Sequence, residues 1–223
     1  MDTGASELER KPRPEPRWPR ILALITLIAV PILLPDRFQL LPAWILPAFA
    51  TIFLVAVAVT DAERTTRRSK QLRASAIGFI SVMILAGSLY TIRLTRELIV
   101  GGAVTQSAEA LLSTSALIWT YNNIIFGFLY WELDSGGPAA RAMHPPRLPD
   151  LAFPQHMQPD IAPTNWRPMF IDYQYLGWTN ATAFSPTDTM PLVAWAKVTM
   201  ALQSLISLLL LSLVLARAIS VLA

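Results

Sequence analysis

The 223 residues are 53% hydrophobic and only 15% charged, where a soluble domain carries about 25% charge; the mean hydropathy is +0.44. The absence of cysteine excludes disulfides, thiolate metal sites and cysteine nucleophiles. The net charge of +3 is gathered beside apolar runs, which argues against a nucleic-acid partner and for the basic flanks of membrane helices.

Charges fall in short clusters between long uncharged runs. That pattern predicts an all-α, polytopic membrane protein of about five transmembrane helices, placed in the bacterial plasma membrane. Residues 1–20 form a basic, proline-rich tail, with Arg10, Lys11, Arg13, Arg17 and Arg20, expected to be disordered and cytosolic. A three-helix membrane part is expected over 21–109. Its first run, Ile21 to Pro35, reaches only ~22 Å at about 1.5 Å per residue, short of a ~30 Å hydrocarbon core, so Trp18 and a snorkelling Arg20 must extend it. It has the charge order of a signal sequence without a small-residue cleavage site, and reads as a retained first helix. Phe38 to Thr60 is a full span, with Pro42 and Pro47 expected to kink its first half. A basic connection, Asp61 to Arg73, leads to a third span, Ala74 to Ile92, whose small residues Gly78, Ser81, Gly87 and Ser88 suit close helix packing in lipid. Arg93 to Glu109, with Gly101-Gly102, reads as a connection.

The remainder, 110–223, reads as one module. Ala110 to Trp131 is a fourth span, polar for a helix facing lipid. Asn122 and Asn123 fall near its centre and need partners there; Gln203 on the last span, 192–217, is the expected one, and lining a substrate path is the alternative. Between these spans lies Glu132 to Pro191, a stretch holding ten of the 18 prolines and both histidines: a Pro-rich loop over 132–167, then a segment over 168–190. Met169 to Phe184 is aromatic and apolar, too short to cross and too hydrophobic for water. Pro168 suits the first residue of a helix, and Ser185-Pro186-Thr187-Asp188 breaks it. A half-length helix, a turn and an immediate return to a full span predict a re-entrant hairpin.

Span, long connection, short aromatic helix, threonine-rich turn and span is an order that resembles the two-helix pore module of potassium channels. Thr179-Asn180-Ala181-Thr182 is similar to the threonine-rich end of that family's pore helix. Asp188 with Pro191 is similar to its Asp and Pro after the filter, and Leu202 to Arg217 to its inner helix. The likeness covers roughly residues 110–220. The stretch Thr179 to Asp188 also resembles a family of bacterial integral membrane proteins built the same way. At the filter the chain departs from potassium channels: Thr182 to Asp188 reads Thr-Ala-Phe-Ser-Pro-Thr-Asp, one residue longer and without glycine. Glycines supply the backbone angles that line carbonyls along the ion path. The resemblance thus implies a homo-oligomer conducting an inorganic cation without potassium-type selectivity. It points to Thr179, Asn180, Thr182, Ser185, Thr187 and Asp188 at an aqueous mouth, where the negative end of the pore helix favours a cation. The plainer alternative is that these hydroxyls cap the hairpin and satisfy backbone groups. A non-conducting, partner-binding protein with a channel-like fold is the other functional expectation.

Residues 1–20 and 61–73 each carry five basic residues, so both are expected in the cytosol. Two further spans put the long loop on that side too, so either the module is inverted like that of glutamate-receptor channels, the favoured reading, or the short first run does not span. Tyr173, Tyr175, Trp178, Trp166 and Trp131 read as interfacial anchors. His144, His156, Asp150, Asp160 and Asp172 fit no metal-binding spacing. No Gly-rich phosphate loop or nucleophile elbow is present, so neither an enzyme nor a cofactor is expected.

Overall fold

The computed structural model describes residues 15–39, 41–42, 44–60, 66–101, 107–143, 148–163, 166–182 and 188–222. The chain is predominantly helical there: α1 (Trp18–Leu33), α2 (Ile45–Thr60), α3 (Thr66–Val100), α4 (Ala108–Leu133), α5 (Pro138–Met143), α6 (Pro154–Met157), α7 (Phe170–Thr182) and α8 (Ala194–Leu222). Two short strands, β1 (Leu151–Ala152) and β2 (Met190–Pro191), pair antiparallel.

The long helices alternate in direction. At one end, here the loop end, the Arg20 guanidinium lies 5.3 Å from the centre of the Trp131 ring. Arg73 approaches Glu132 at 4.0 Å there, and Trp195 Nε1 donates to Asp150. The starts of α1, of α8 and of the apolar part of α3 therefore meet the finish of α4 there. At the far end Arg93 donates to the Gln39 carbonyl at 2.9 Å and Arg37 pairs with Glu97 at 3.8 Å, which joins the turn after α1 to the last turns of α3.

α4 is the central helix, packed by α1, α3, α7 and α8. Every residue from Tyr121 to Phe128 is buried, so its asparagines face protein rather than the outside. The outer surface is apolar instead. Val198, Leu205 and Leu215 of α8 are 66%, 53% and 63% exposed, whereas Asn123 and Gln203 are each 2% exposed. This is the reverse of the usual soluble distribution, in which large apolar side chains are the buried ones.

Two helices, Arg73–Val100 of α3 and Ala194–Ser220 of α8, are long and apolar enough to cross a membrane. α1 and α2 have 16 residues each, ~24 Å of rise. α4 is long enough but carries the buried amides and hydroxyls of its middle.

Three expectations on the helices change. α3 does not stop at Ile92: it runs 35 residues to Val100, because Arg93, Arg96 and Glu97 are good helix formers. Gly101, at φ +82°, ends it. Pro42 and Pro47 do not kink α2, which starts at Ile45; Pro42 precedes it, and Pro47 sits in its first turn, where no backbone N–H is needed. α7 starts at Phe170, two residues after Pro168. Most of the tail, 1–14, and the connection 61–65 lie outside the described residues.

Candidate functional site: a half-length helix inside the bundle

α7 begins with Asp172 accepting a hydrogen bond from the Met169 N–H at 2.7 Å, which satisfies one of the amides a helix start leaves unpaired. Phe170 packs on Phe128 and Trp131 at the loop end. Further along, Trp178 meets Trp119 edge-on, ring centres 5.1 Å apart. α7 therefore runs antiparallel to α4. The twelve helical steps of α4 from Trp131 to Trp119 span ~18 Å, little more than half of a ~30 Å hydrocarbon core. By Met190 the chain is back at the loop end, where β2 pairs with β1.

Two glycines allow α7 to lie this close to α4. A Cβ on Gly127 would stand 2.5 Å from Gln174 Oε1, and one on Gly177 would stand 3.3 Å from the Asn123 carbonyl oxygen. The backbone groups exposed by this approach are used. Asn123 Nδ2 donates to the Gly177 carbonyl at 3.3 Å, and Gln174 Nε2 donates to Asn123 Oδ1 at 2.9 Å.

A second set of bonds ties α7 to α8. Asn180 Nδ2 donates to the Met200 carbonyl at 2.9 Å and to Gln203 Oε1 at 2.8 Å. Ser204 Oγ donates to Asn180 Oδ1. Gln203 Nε2 donates to the Gly177 carbonyl at 2.9 Å, and the Tyr130 hydroxyl donates to Gln203 Oε1 at 2.7 Å. Trp119 Nε1 reaches Ser207 Oγ at 2.6 Å. The void among Trp119, Asn122, Asn123, Ala181, Gln203 and Ser207 is only about 10 Å³, at the lower bound for one water.

Gln203 is not the partner of Asn122 and Asn123. Successive helical residues point about 100° apart, so Asn123 faces α7 while Asn122 faces α3, where its Nδ2 donates to Thr91 Oγ1 at 2.9 Å.

Among the residues expected at an aqueous mouth, Asn180 is 8% exposed and turned toward α8. Thr179 and Thr182 donate their hydroxyls to carbonyls of their own helix, at Tyr175 and Trp178. Asp188 is exposed. Ser185, Thr187 and the rest of 183–187 lie outside the described residues, as does His144. The outward face of α7 carries Ile171, Tyr175 and Trp178, each about half exposed, at a spacing that lines them up along one side.

No family model, curated protein or solved structure matches this chain. Its function is therefore read from its own geometry.

The sequence hides one further centre, at the loop end. Asp134, 0% exposed, accepts hydrogen bonds from the backbone N–H groups of Asp150 and Leu151 at 3.1 and 3.2 Å. It also accepts from the hydroxyls of Ser135 and Tyr173. Arg141, itself buried, lies 3.9 Å from the carboxylate and donates to the Asp134 carbonyl; its guanidinium also sits over the Tyr173 ring at 4.9 Å. The chain reaches this knot through three left-handed residues in a row, Ser135, Gly136 and Gly137, at φ +51°, +83° and +93°. Among the described residues no three His, Asp or Glu side chains converge as metal ligands would.

His156 closes the same corner. Its Nδ1 accepts the Phe153 N–H at 3.1 Å, and its ring meets Trp166 edge-on. Burial lowers its pKa below 6.5, against the opposing pull of Asp134. The unfolded corner therefore takes up the proton first as pH falls. Its stability is full above about pH 6.5 and is lost below it. The protection factor of the Phe153 amide is expected to fall as pH drops from 7 to 5, while the intrinsic exchange rate itself slows. A flat protection factor over that range, or the same fall in His156→Gln, would contradict this.

Proposed function

We propose that the chain is a five-pass integral membrane protein, α1, α2, α3, α4 and α8 crossing in alternate directions, in which α7 and the return to Pro191 form a re-entrant hairpin. In this reading, copies assemble around the hairpins to form a cation pathway. The single observation that carries the reading is the course of α7. It enters the bundle from the loop end, stops near mid-depth, and the chain leaves at the same end, within a bundle whose outer faces are apolar. Lipid tolerates irregular backbone only where protein or a water-filled cavity surrounds it, and α7 is held by α4 and α8 along its length.

Sidedness follows from the alternation. Arg20 and Arg73 lie at the loop end, and the basic residues that precede each of them in the sequence make that end cytosolic. Thr179 and Thr182 hydroxyls and the exposed Asp188 carboxylate are the groups left to face ions at the subunit junction. Asn180 acts as a positioning residue, holding α7 on α8. The outward Ile171, Tyr175 and Trp178 are the contacts offered to neighbouring copies. The central void among the described residues is water-sized at most, so in this reading the path is formed by symmetric assembly.

Purified protein in liposomes is expected to pass Na⁺ and K⁺ with little preference. Asp188→Ala should lower the flux about tenfold, equivalent to ~1.4 kcal/mol of lost ion stabilisation, with the oligomer intact on a native gel. Maleimide added from the cytosolic side should label a cysteine placed at Ser135. No flux of Na⁺, K⁺ or anions from correctly inserted oligomer would sink the channel reading. The satisfied amide of Asn180 and the small central void would then favour a non-conducting, partner-binding role instead.

A further inference from the structure

We propose that the groove between α1 and α4 holds an acyl chain of a zwitterionic phospholipid from the far-end leaflet, an inference that rests on the membrane reading above. The groove has a volume of about 590 Å³ and lies between Ile25, Ala29 and Leu33 on α1 and Ser113, Ala116 and Leu117 on α4. Apart from Leu117, its α4 wall is made of small residues, and no charged side chain lines it. Of its four hydroxyls, two are spent on their own helices, Thr26 on the Leu22 carbonyl and Ser113 on the Ala110 carbonyl; those of Thr114 and Thr120 are the others. The remaining walls are apolar and suit hydrocarbon.

Length matches one acyl chain. The lining runs from Ile25 to Pro35 and from Ala110 to Thr120, ~15 Å on each helix, half of a ~30 Å hydrocarbon core and thus one leaflet. A helix of a second copy is the competing occupant, and the cysteine variant below detects it.

The mouth specifies the headgroup. Pro35, which lines the far end of the groove, is followed at once by Asp36 and Arg37, both exposed. Arg37 makes only a loose ion pair with Glu97, at 3.8 Å. An anionic headgroup would meet Asp36 unfavourably. A headgroup carrying both phosphate and ammonium meets Arg37 with the first and Asp36 with the second.

The test uses the full chain in liposomes containing phosphatidylethanolamine with a photoactivatable acyl chain, after carbonate washing. We expect cross-links to peptides covering 25–33 and 110–120. Ala116→Trp and Ala29→Trp, which fill the groove from opposite walls, should each lower them at least fivefold, and Leu205→Trp on another exposed face should not. Exchanging the mouth charges with Asp36→Lys and Arg37→Glu should leave labelling intact, since both signs remain, whereas Arg37→Glu alone should weaken it. Equal labelling in both tryptophan variants would overturn the lipid site, as would spontaneous disulfide dimers of Ser113→Cys, which would seat a second copy there. Release of the wild-type chain by carbonate would overturn the membrane reading itself, and this proposal with it. Retention without labelling overturns only the lipid site.

Discussion

Asp134→Ala is expected to destabilise the folded protein by about 3 kcal/mol, the low end of the range for breaking a buried pair by removing one partner. The low end applies because Arg141 keeps its bond to the Asp134 carbonyl. What disappears is the acceptor for two backbone amides, two hydroxyls and a guanidinium, all in a place where water does not replace it. Asp134→Asn should recover part of the loss. Its carbonyl oxygen still serves the Asp150 and Leu151 amides, but it brings no charge to Arg141 and no strong acceptor to Tyr173. Unfolding in mixed micelles followed by tryptophan emission gives the ordering wild type, Asn, Ala. Limited proteolysis should cut Asp134→Ala near 148–152 first. An alanine variant as stable as wild type would mean that this carboxylate is incidental to the fold.

Gly127→Leu should have the second large effect, confined at first to α7. A Cβ alone would stand 3.0 Å from Gln174 Cδ and 3.3 Å from its Cα. The Gln174 side chain can swing aside, but its backbone moves only if α7 moves. The further carbons of leucine then lift the helix off α4, which breaks the Asn123–Gly177 and Gln174–Asn123 bonds. Overpacking of this kind costs ~1–3 kcal/mol, and the freed polar groups add to it. The Trp119–Trp178 contact should be lost, visible as a shift in emission, together with any ion flux that depends on the hairpin. Gly78 is the control: nothing lies within 4 Å of a Cβ there, so Gly78→Ala should be neutral or slightly stabilising through helix propensity. Equal behaviour of the Gly127 and Gly78 variants would remove close packing as the reason for the glycine.

The sequence makes some of this architecture legible and conceals the rest for identifiable reasons. The helices over 110–131 and 192–217 are found within a few residues, at Ala108–Leu133 and Ala194–Leu222, because apolar runs end where their caps begin. The half-length of α7 is visible too, since its aromatic run is bounded by Pro168 and Pro186. α3 is under-read because hydropathy marks only its apolar part, whereas Thr66–Arg73 and Arg93–Val100 are helical through the propensity of Arg, Lys, Gln and Glu. The pairing of Asn122 and Asn123 is misread because a linear string does not show that adjacent residues face different neighbours. Asp134 leaves no signal at all. Its partners stand 16, 17 and 39 positions away, in a proline-rich stretch with no periodicity to align them. Among the described ion-facing candidates, Asn180 is the one whose orientation departs most, since its short amide is claimed by α8.

The bonds of Gln203 limit how this molecule can change shape. One side chain grips the carbonyl of Gly177, the amide of Asn180 and the phenol of Tyr130. A twist of α8 by a single residue swings that amide ~100° and releases all three at once. α7 and α8 therefore travel as one rigid body, clamped to α4 through Tyr130. Any switching between states is left to the groove between α1 and α4, where side chains have room to slide.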